Sequence, residues 1–362
     1  MNDPLIDTIV NGRYRVIRKL GEGGMSLVYE VQHVRLKRQF ALKRLLPMLC
    51  GNEEALIRFE REAELLASLH HPNVVEITDW DNLHDGTPFM ILEFLHGAHI
   101  RVRIDRGPLP WEAIGRLADQ TMSALSLAHR IGITHRDLKP ENIFISIDDA
   151  GEERVKLLDF GVSKLRGLGR TTGVHALLGT PSYMSPEQAQ GLTDEIGPST
   201  DAWAMGCILY EMATGKVAFT GESLAATVVE ITSGRPAPIA NYRPDASAAF
   251  IDLVDRAISL DPDRRIMTIE ELRAGLKSAL EPRPRVTTPV SGLLPINTPL
   301  TPKSGPVEIV ARSTAVGATP PGGTRLATQV ETFGASHVRL WIIAATTALL
   351  AIAVVLVVVF AI

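Results

Sequence analysis

Cysteine is nearly missing: Cys50 and Cys207 are the only two in 362 residues, and neither stands in a Cys-x-x-Cys or other metal-type spacing. A disulfide-stapled scaffold and a zinc ribbon are thereby excluded, and a reducing, cytosolic compartment suits the main body. An excess of positive charge is missing too, since 37 Lys and Arg face 41 Asp and Glu for a formal charge of −4. Nucleic-acid binders carry the opposite balance, so no nucleic-acid partner is expected. Residues 1–12 carry Asp3 and Asp7 and lack both the basic flank and the apolar run of a secretory signal, which keeps the N-terminus in the cytoplasm. His70, His71, His96 and His99 have no carboxylate or cysteine companions that would make a metal set, and no zinc site is expected.

What is there is a chain longer than one compact core usually organises, 45% hydrophobic and 22% charged. After Leu280 the composition changes. Glu281, Pro282, Arg283 and Pro284 open a stretch rich in Pro, Thr, Gly and Ser that shows neither helical nor strand periodicity and reads as a flexible linker. Its Thr-Pro pairs at Thr288, Thr298, Thr301 and Thr319 keep a chain extended and are also candidates for phosphorylation in cis. Residues 341–362, opening on Trp341, hold no charge; at about 1.5 Å per residue they are long enough to cross a hydrocarbon core of roughly 30 Å. Arg325, His337 and Arg339 precede this run, which favours a single span with the body on the cytoplasmic side. The expected organisation is a lead over 1–13, a catalytic domain over 14–280, a linker over 281–339 and a transmembrane helix over 340–362. The expected location is the inner (cytoplasmic) membrane, crossed once. A tail anchor and a chain continuing beyond Ile362 both fit this pattern.

Within the body, 15–20, 27–34 and 39–45 are short β-branched and apolar runs separated by glycines or charges, as in a twisted antiparallel sheet. Asn52 followed by Glu53 and Glu54 marks a helix start, and Leu56, Phe59, Ala63, Leu66 and Leu69 recur at helical spacing. Beyond Pro110 the patterns are mainly helical, clearest over 111–129, 200–214 and 246–259.

The chemistry is concentrated in His135-Arg136-Asp137-Leu138-Lys139-Pro140-Glu141-Asn142 and Asp159-Phe160-Gly161, which set a proton acceptor and two metal-binding oxygens at the spacing phosphoryl transfer needs. Upstream, Gly21-Glu22-Gly23-Gly24-Met25-Ser26 lies between two strand-like runs, where glycines let a hairpin fold closely over phosphates. Downstream stand Gly179-Thr180-Pro181 and Ser185-Pro186-Glu187. This ordered set resembles the eukaryotic-like (Hanks-type) Ser/Thr protein kinase family, and within it the bacterial membrane-anchored members, over residues 14 to about 280. Ser26 stands where the family has its third glycine, and Ser185 where it usually has Ala.

The resemblance implies an α+β bilobal protein-kinase fold, with a β-rich N-lobe carrying one key helix and an α-rich C-lobe. It implies ATP and Mg²⁺, with Mn²⁺ as a substitute. Asp137, Lys139, Lys43 and Glu62 are the implied catalytic residues, with Glu62 holding Lys43 and Lys139 neutralising the γ-phosphate; Asn142 and Asp159 are the implied metal ligands. The nucleotide is expected to lie against Leu20, Gly21, Glu22, Gly23, Gly24, Met25 and Ser26 of the loop. Val28 and Ala41 would pack on adenine, Leu92 is the gatekeeper of an edge strand, Glu93 to Leu95 offer backbone groups, and Phe144 completes the floor. Glu187 should pair with Arg265, Asp201 should accept from catalytic-loop N–H groups, and His135, Phe160 and Leu66 should stack as an internal spine. Arg136 and Lys164 are expected to receive a phosphate on Thr171 or Thr172, while Thr180 with Lys139 marks Ser/Thr rather than Tyr specificity. Partners implied are protein substrates, the membrane, and a second copy in a homodimer for trans-autophosphorylation. The competing readings are a pseudokinase or scaffold, opposed by the intact Lys43, Asp137, Asn142 and Asp159, and a small-molecule phosphotransferase, opposed by the complete segment from Gly179 to Glu187.

Overall fold

Successive side chains of three adjacent strands point to opposite faces and divide the first part of the chain between two cores. In the computed structural model, which describes residues 3–148, 150–160 and 181–281, strands β1 (Ile9–Val10), β2 (Tyr14–Glu22), β3 (Ser26–His33), β4 (Gln39–Leu45), β5 (Ile77–Asn82) and β6 (Pro88–Glu93) form an antiparallel sheet of order β1-β2-β3-β4-β6-β5. Tyr29 and Val31, Phe40 and Leu42, and Phe89 and Ile91 project to one face and close a small core with Tyr14 and Val16. With period 2, Val28, Ala41, Lys43 and Leu92 fall on the other face. Register shifts between Val16 and Arg18 and between Lys19 and Gly21 bulge β2 as it enters the glycine loop, which increases its local twist.

One expectation is corrected here. The strand carrying Leu92 is not an edge: β6 is hydrogen-bonded to β4 on one side and β5 on the other. Its residues Pro88–Leu92 are all buried, the continuous apolar run of a strand covered on both faces. Within the expected lead, residues 3–13 are part of the packed lobe. Ile9 and Val10 add β1, Leu5 packs on the small core, and Asp3 accepts from the Tyr29 hydroxyl at 2.7 Å.

Helix α1 (Glu53–Ser68) begins where Asn52 accepts from the Ala55 N–H at 3.0 Å, with Glu53 and Glu54 in the first turn against the helix dipole. Its buried stripe is Ala55, Phe59, Glu62, Ala63 and Leu66, so one carboxylate is carried inward among apolar side chains.

The second lobe is helical: α2 (Arg101–Ile104), α3 (Trp111–Arg130), α4 (Pro186–Ala189), α5 (Pro198–Thr214), α6 (Leu224–Ser233), α7 (Ala248–Ala257) and α8 (Ile269–Leu280). A three-stranded sheet of β7 (Gly97–His99), β8 (Ile143–Ile147) and β9 (Glu153–Leu157) lies with them. Every residue of α5 from Thr200 to Thr214 is buried, the mark of a helix enclosed on all sides, and the lobe's core is built around it. Gly206 permits that enclosure, because a Cβ there would stand 2.7 Å from Ala257 Cβ of α7. Among the described residues no helix is long and apolar enough to cross a membrane. From 282 onward the expected linker and span lie outside the described residues.

Candidate active site

Strand β4 and helix α1 bring Lys43 and Glu62 together, and the turn after β9 brings a third charge. Lys43 Nζ donates to Glu62 Oε1 and to Asp159 Oδ1, each at 2.6 Å. Burial works against the ammonium, but Asp159 and Glu62 outweigh it and raise the Lys43 pKa. One cation cannot balance two carboxylates, and the difference falls on the buried one. Burial pushes the Glu62 carboxyl up to about 7 despite Lys43. Burial works against ionisation of Asp159 as well, but its side chain is 58% exposed and Lys43 prevails, holding its carboxyl below the usual range. Arg58, the neighbour that might have claimed Glu62, instead pairs with Glu54 along the helix surface.

The catalytic loop is fixed through its backbone. Asp201, fully buried in α5, accepts from the N–H groups of His135 and Arg136, both at 2.8 Å, and from His129 Nε2 at 2.7 Å. These bonds restrain Arg136 in the left-handed region (φ 63°), a conformation costly for a residue with a side chain; Asp159 is another such residue (φ 46°). His135 Nε2 donates to Leu158 O at 3.1 Å and its Nδ1 accepts from the Asp137 N–H at 3.4 Å, which requires the neutral ring; burial lowers its pKa accordingly. The ring lies tilted against Phe160 with centroids 4.8 Å apart, and Phe160 shares a core with Leu66.

Asp137 meets Lys139 Nζ at 2.7 Å, and Asn142 Nδ2 donates to Asp137 O at 2.8 Å. With its nitrogen committed there, Asn142 has its amide oxygen to offer a cation. Leu158 N–H donates to Asn142 O at 2.9 Å, tying this loop to the residue just before Asp159. Two hard oxygen donors from Asn142 and Asp159 fit a divalent cation of the Mg²⁺ type.

At the glycine loop, Gly23 N–H donates to Ser26 O at 2.8 Å and closes the hairpin; Gly21, Glu22, Gly24, Met25 and Leu20 stay at least partly exposed. Ser26 is buried on the face that carries Val28 and Lys43, so the hairpin closes without a third glycine. Val28, Ala41, Leu95 and Phe144 are half-buried, and Leu92 is buried opposite Ala41. Glu93 departs from expectation in one respect: its N–H donates to Glu76 O at 2.9 Å, so that donor is not available to a ligand. Gly161, Lys164, Thr171, Thr172 and Thr180 lie outside the described residues.

Where the chain is again described, Ser185 caps α4 with a reciprocal bond to Gln188. Glu187 and Arg265 form a bidentate pair at 3.0 Å, and Thr200 donates to the same carboxylate at 2.9 Å. Burial opposes ionisation of Glu187, but Arg265 prevails and holds its carboxyl below the usual range. Arg265→Ala would strand this carboxylate, which is 7% exposed, and is expected to lower the unfolding free energy by about 3–5 kcal/mol. Urea unfolding measures this, and a change under about 1 kcal/mol would contradict the importance given to the pair.

Several supports were not foreseen. Gln188 Nε2 donates to Arg136 O at 2.7 Å, and His129 buttresses Asp201. Between the lobes, Asn73 Nδ2 donates to Val155 O at 2.9 Å, Leu157 N–H to Asn73 O at 2.8 Å and Val75 N–H to Leu157 O at 3.0 Å, while Lys156 bridges to the Glu93 carboxylate. A fourth group joins Arg101, Glu141, Tyr183 and Glu211.

The protein kinase domain family matches residues 14–275. The chain is 34% identical over 291 residues to the serine/threonine-protein kinase pkn3 of Myxococcus xanthus, an alignment covering 78% of this chain and 53% of that protein. It thus spans about half the length of that curated relative. Among solved structures, the PknI kinase domain of Mycobacterium tuberculosis superposes with a TM-score of 0.57 at 26% identity, covering 75% of this chain and 98% of that one. Rad53 in complex with AMP-PNP superposes with a TM-score of 0.59 at 25% identity, covering 72% and 64%.

Proposed function

Because the chain belongs to the protein kinase domain family, we propose that it transfers the γ-phosphoryl group of ATP to serine and threonine hydroxyls of proteins, tethered to the cytoplasmic face of a membrane by residues 340–362. The observation that carries this reading is the bridge from Lys43 to both Glu62 and Asp159, with the residue before Asp159 tied to the catalytic loop by the Leu158 N–H to Asn142 O bond. Lys43 orients the α- and β-phosphates, Asp137 accepts or orients the proton of the attacking hydroxyl, and Lys139 moves from Asp137 to the transferring phosphoryl group. Asn142 and Asp159 would hold Mg²⁺, which when bound supplies positive charge to the phosphate oxygens. Leu95 and the Glu93 carbonyl face adenine, with Val28, Ala41, Leu92 and Phe144 around the ring.

Phosphorylation of Thr171 or Thr172, received by Arg136 and Lys164, is the proposed switch; it adds about −1.5 to −2 charge where a guanidinium can pair with it. Thr180 belongs with Lys139 in the Ser/Thr preference. Confinement to a surface raises the effective concentration of neighbouring copies and favours phosphorylation in trans, through a homodimer.

The full chain, incubated with γ-labelled ATP, Mg²⁺ and a generic basic protein, is expected to place label on phosphoserine and phosphothreonine after acid hydrolysis. Label confined to phosphotyrosine or to small alcohols, or no label at all, would refute the reading. Removing residues 340–362 is expected to move the protein from the membrane to the soluble fraction, and continued sedimentation with membranes would refute the anchor.

A further inference from the structure

The turn that joins β3 to β4 holds an apolar side chain out in water. Leu36 at its tip is 71% exposed. The turn is tightly made: His33 N–H donates to Arg38 O and Lys37 N–H to His33 O, both at 2.9 Å, and Lys37 reverses the chain from the left-handed region (φ 59°). The His33 ring braces the tip through Nδ1, which accepts from the Arg35 N–H at 3.3 Å and the Leu36 N–H at 3.1 Å. Leucine is thus displayed by an ordered turn that buries none of it.

Cations surround that tip. Arg35, Lys37 and Arg38 are all exposed, and among the described residues none of them enters an ion pair; Arg38 lies over the Phe40 ring at 5.3 Å. No carboxylate stands between Glu30 and Glu53, although the whole chain has a formal charge of −4. Carboxylates of the neighbouring strands are already taken, Glu30 by Arg18 at 2.8 Å and Asp79 and Asp81 by Arg13 at 2.9 and 3.4 Å. The positive charge of the turn therefore faces outward uncompensated. It sits at the far end of β3 from the glycine hairpin, so nothing that catalysis requires lies within it.

An apolar tip ringed by cations matches the chemistry of an anionic bilayer, where headgroups meet the cations and the side chain between them enters the boundary with the acyl chains. A soluble polyanion would use the charges and leave Leu36 in water. We propose that the β3–β4 turn is a membrane-contact loop, which lays the first lobe against an anionic phospholipid surface. The inference goes beyond the tether proposed above and relies on it for strength alone. Each cation within a Debye length of an anionic leaflet raises binding about 5-fold, so this contact is too small to draw the chain from solution. It becomes effective once the chain is held at high local concentration beside the surface.

The test follows amide hydrogen exchange over residues 33–38 of the full chain, in vesicles of phosphatidylcholine alone or mixed with phosphatidylglycerol. Exchange is expected to be about 5-fold slower or more in the mixed vesicles, and the slowing to fade at high salt as the charges are screened. The triple variant Arg35→Gln, Lys37→Gln, Arg38→Gln is expected to lose the slowing, Leu36→Ser to lose much of it, and both to phosphorylate a soluble basic protein within about 2-fold of wild type. Equal exchange in the two lipids, with the protein still on the vesicles, would overturn the contact and leave the tether standing. A second arm replaces residues 340–362 by a hexahistidine tag captured on nickel-chelating vesicles, and repeats the lipid comparison there. If the full chain does not stay with vesicles the tether fails, and this arm still decides the turn. Equal protection by heparin in free solution would assign the turn to polyanions in general and overturn the lipid surface.

Discussion

Asp137→Asn is expected to lower the rate of phosphoryl transfer about 10²–10⁴-fold while leaving nucleotide binding and folding nearly unchanged. The amide is isosteric with the carboxylate but cannot take up a proton from an attacking hydroxyl, and it presents one acceptor oxygen to Lys139 instead of two. The loop itself does not depend on that side chain. Its shape is held from Asp201 through the His135 and Arg136 N–H groups and from Asn142 through the Asp137 carbonyl. Label incorporation from ATP, nucleotide affinity by calorimetry and the melting temperature together check the prediction. Equal labelling by wild type and variant would defeat the catalytic assignment, and a large loss of melting temperature would defeat the claim that the loop is held by its backbone.

Lys43→Met is expected to reduce kcat/KM about 10²–10³-fold, the usual cost of removing one preorganised donor from a developing charge. It should also change how stability depends on pH. The folded-state Glu62 carboxyl is raised to about 7, so the stability associated with its protonated form is complete below its unfolded value and is lost as pH rises through about 7. Lys43 moderates that loss in the wild type by pairing with the carboxylate. Without the ammonium the proton is held more tightly still, and ionising Glu62 costs more. The melting-temperature deficit of Lys43→Met should therefore widen between pH 5 and pH 8. A deficit that is constant or narrows over that range would show that Glu62 does not carry the uncompensated charge.

Local grammar made much of this site legible. Asn52 with Glu53 and Glu54 announced α1, and the period of Phe59, Ala63 and Leu66 implied which side of the helix Glu62 shares. Within His135 to Asn142, eight consecutive residues carry both the proton acceptor and a metal-binding oxygen, so spacing along the chain stands in for spacing in the fold. The groups that escaped notice are joined across long separations. Arg101 and Glu211 are 110 residues apart, His129 and Asp201 are 72 apart, and nothing in either neighbourhood names the other. The misplaced edge strand has a different cause. Its unbroken apolar run was a signal of two-sided coverage, but strand order depends on which element covers the outer side, and β5 precedes β6 in the chain while lying beyond it in the sheet.

The seam made by Asn73, Val74 and Val75 against Val155 and Leu157, with Lys156 reaching Glu93, joins the two lobes along one margin. Opening the lobes at that margin would break buried backbone hydrogen bonds, Leu157 N–H to Asn73 O and Val75 N–H to Leu157 O. The two lobes are therefore expected to separate as covers turn about a book's spine, with the fore-edge, where Gly21 to Gly24 lie, travelling farthest. Nucleotide exchange is then a matter of leafing rather than of splitting, and its rate should respond to the stiffness of the bulged strand leading into that hairpin more than to anything at the back.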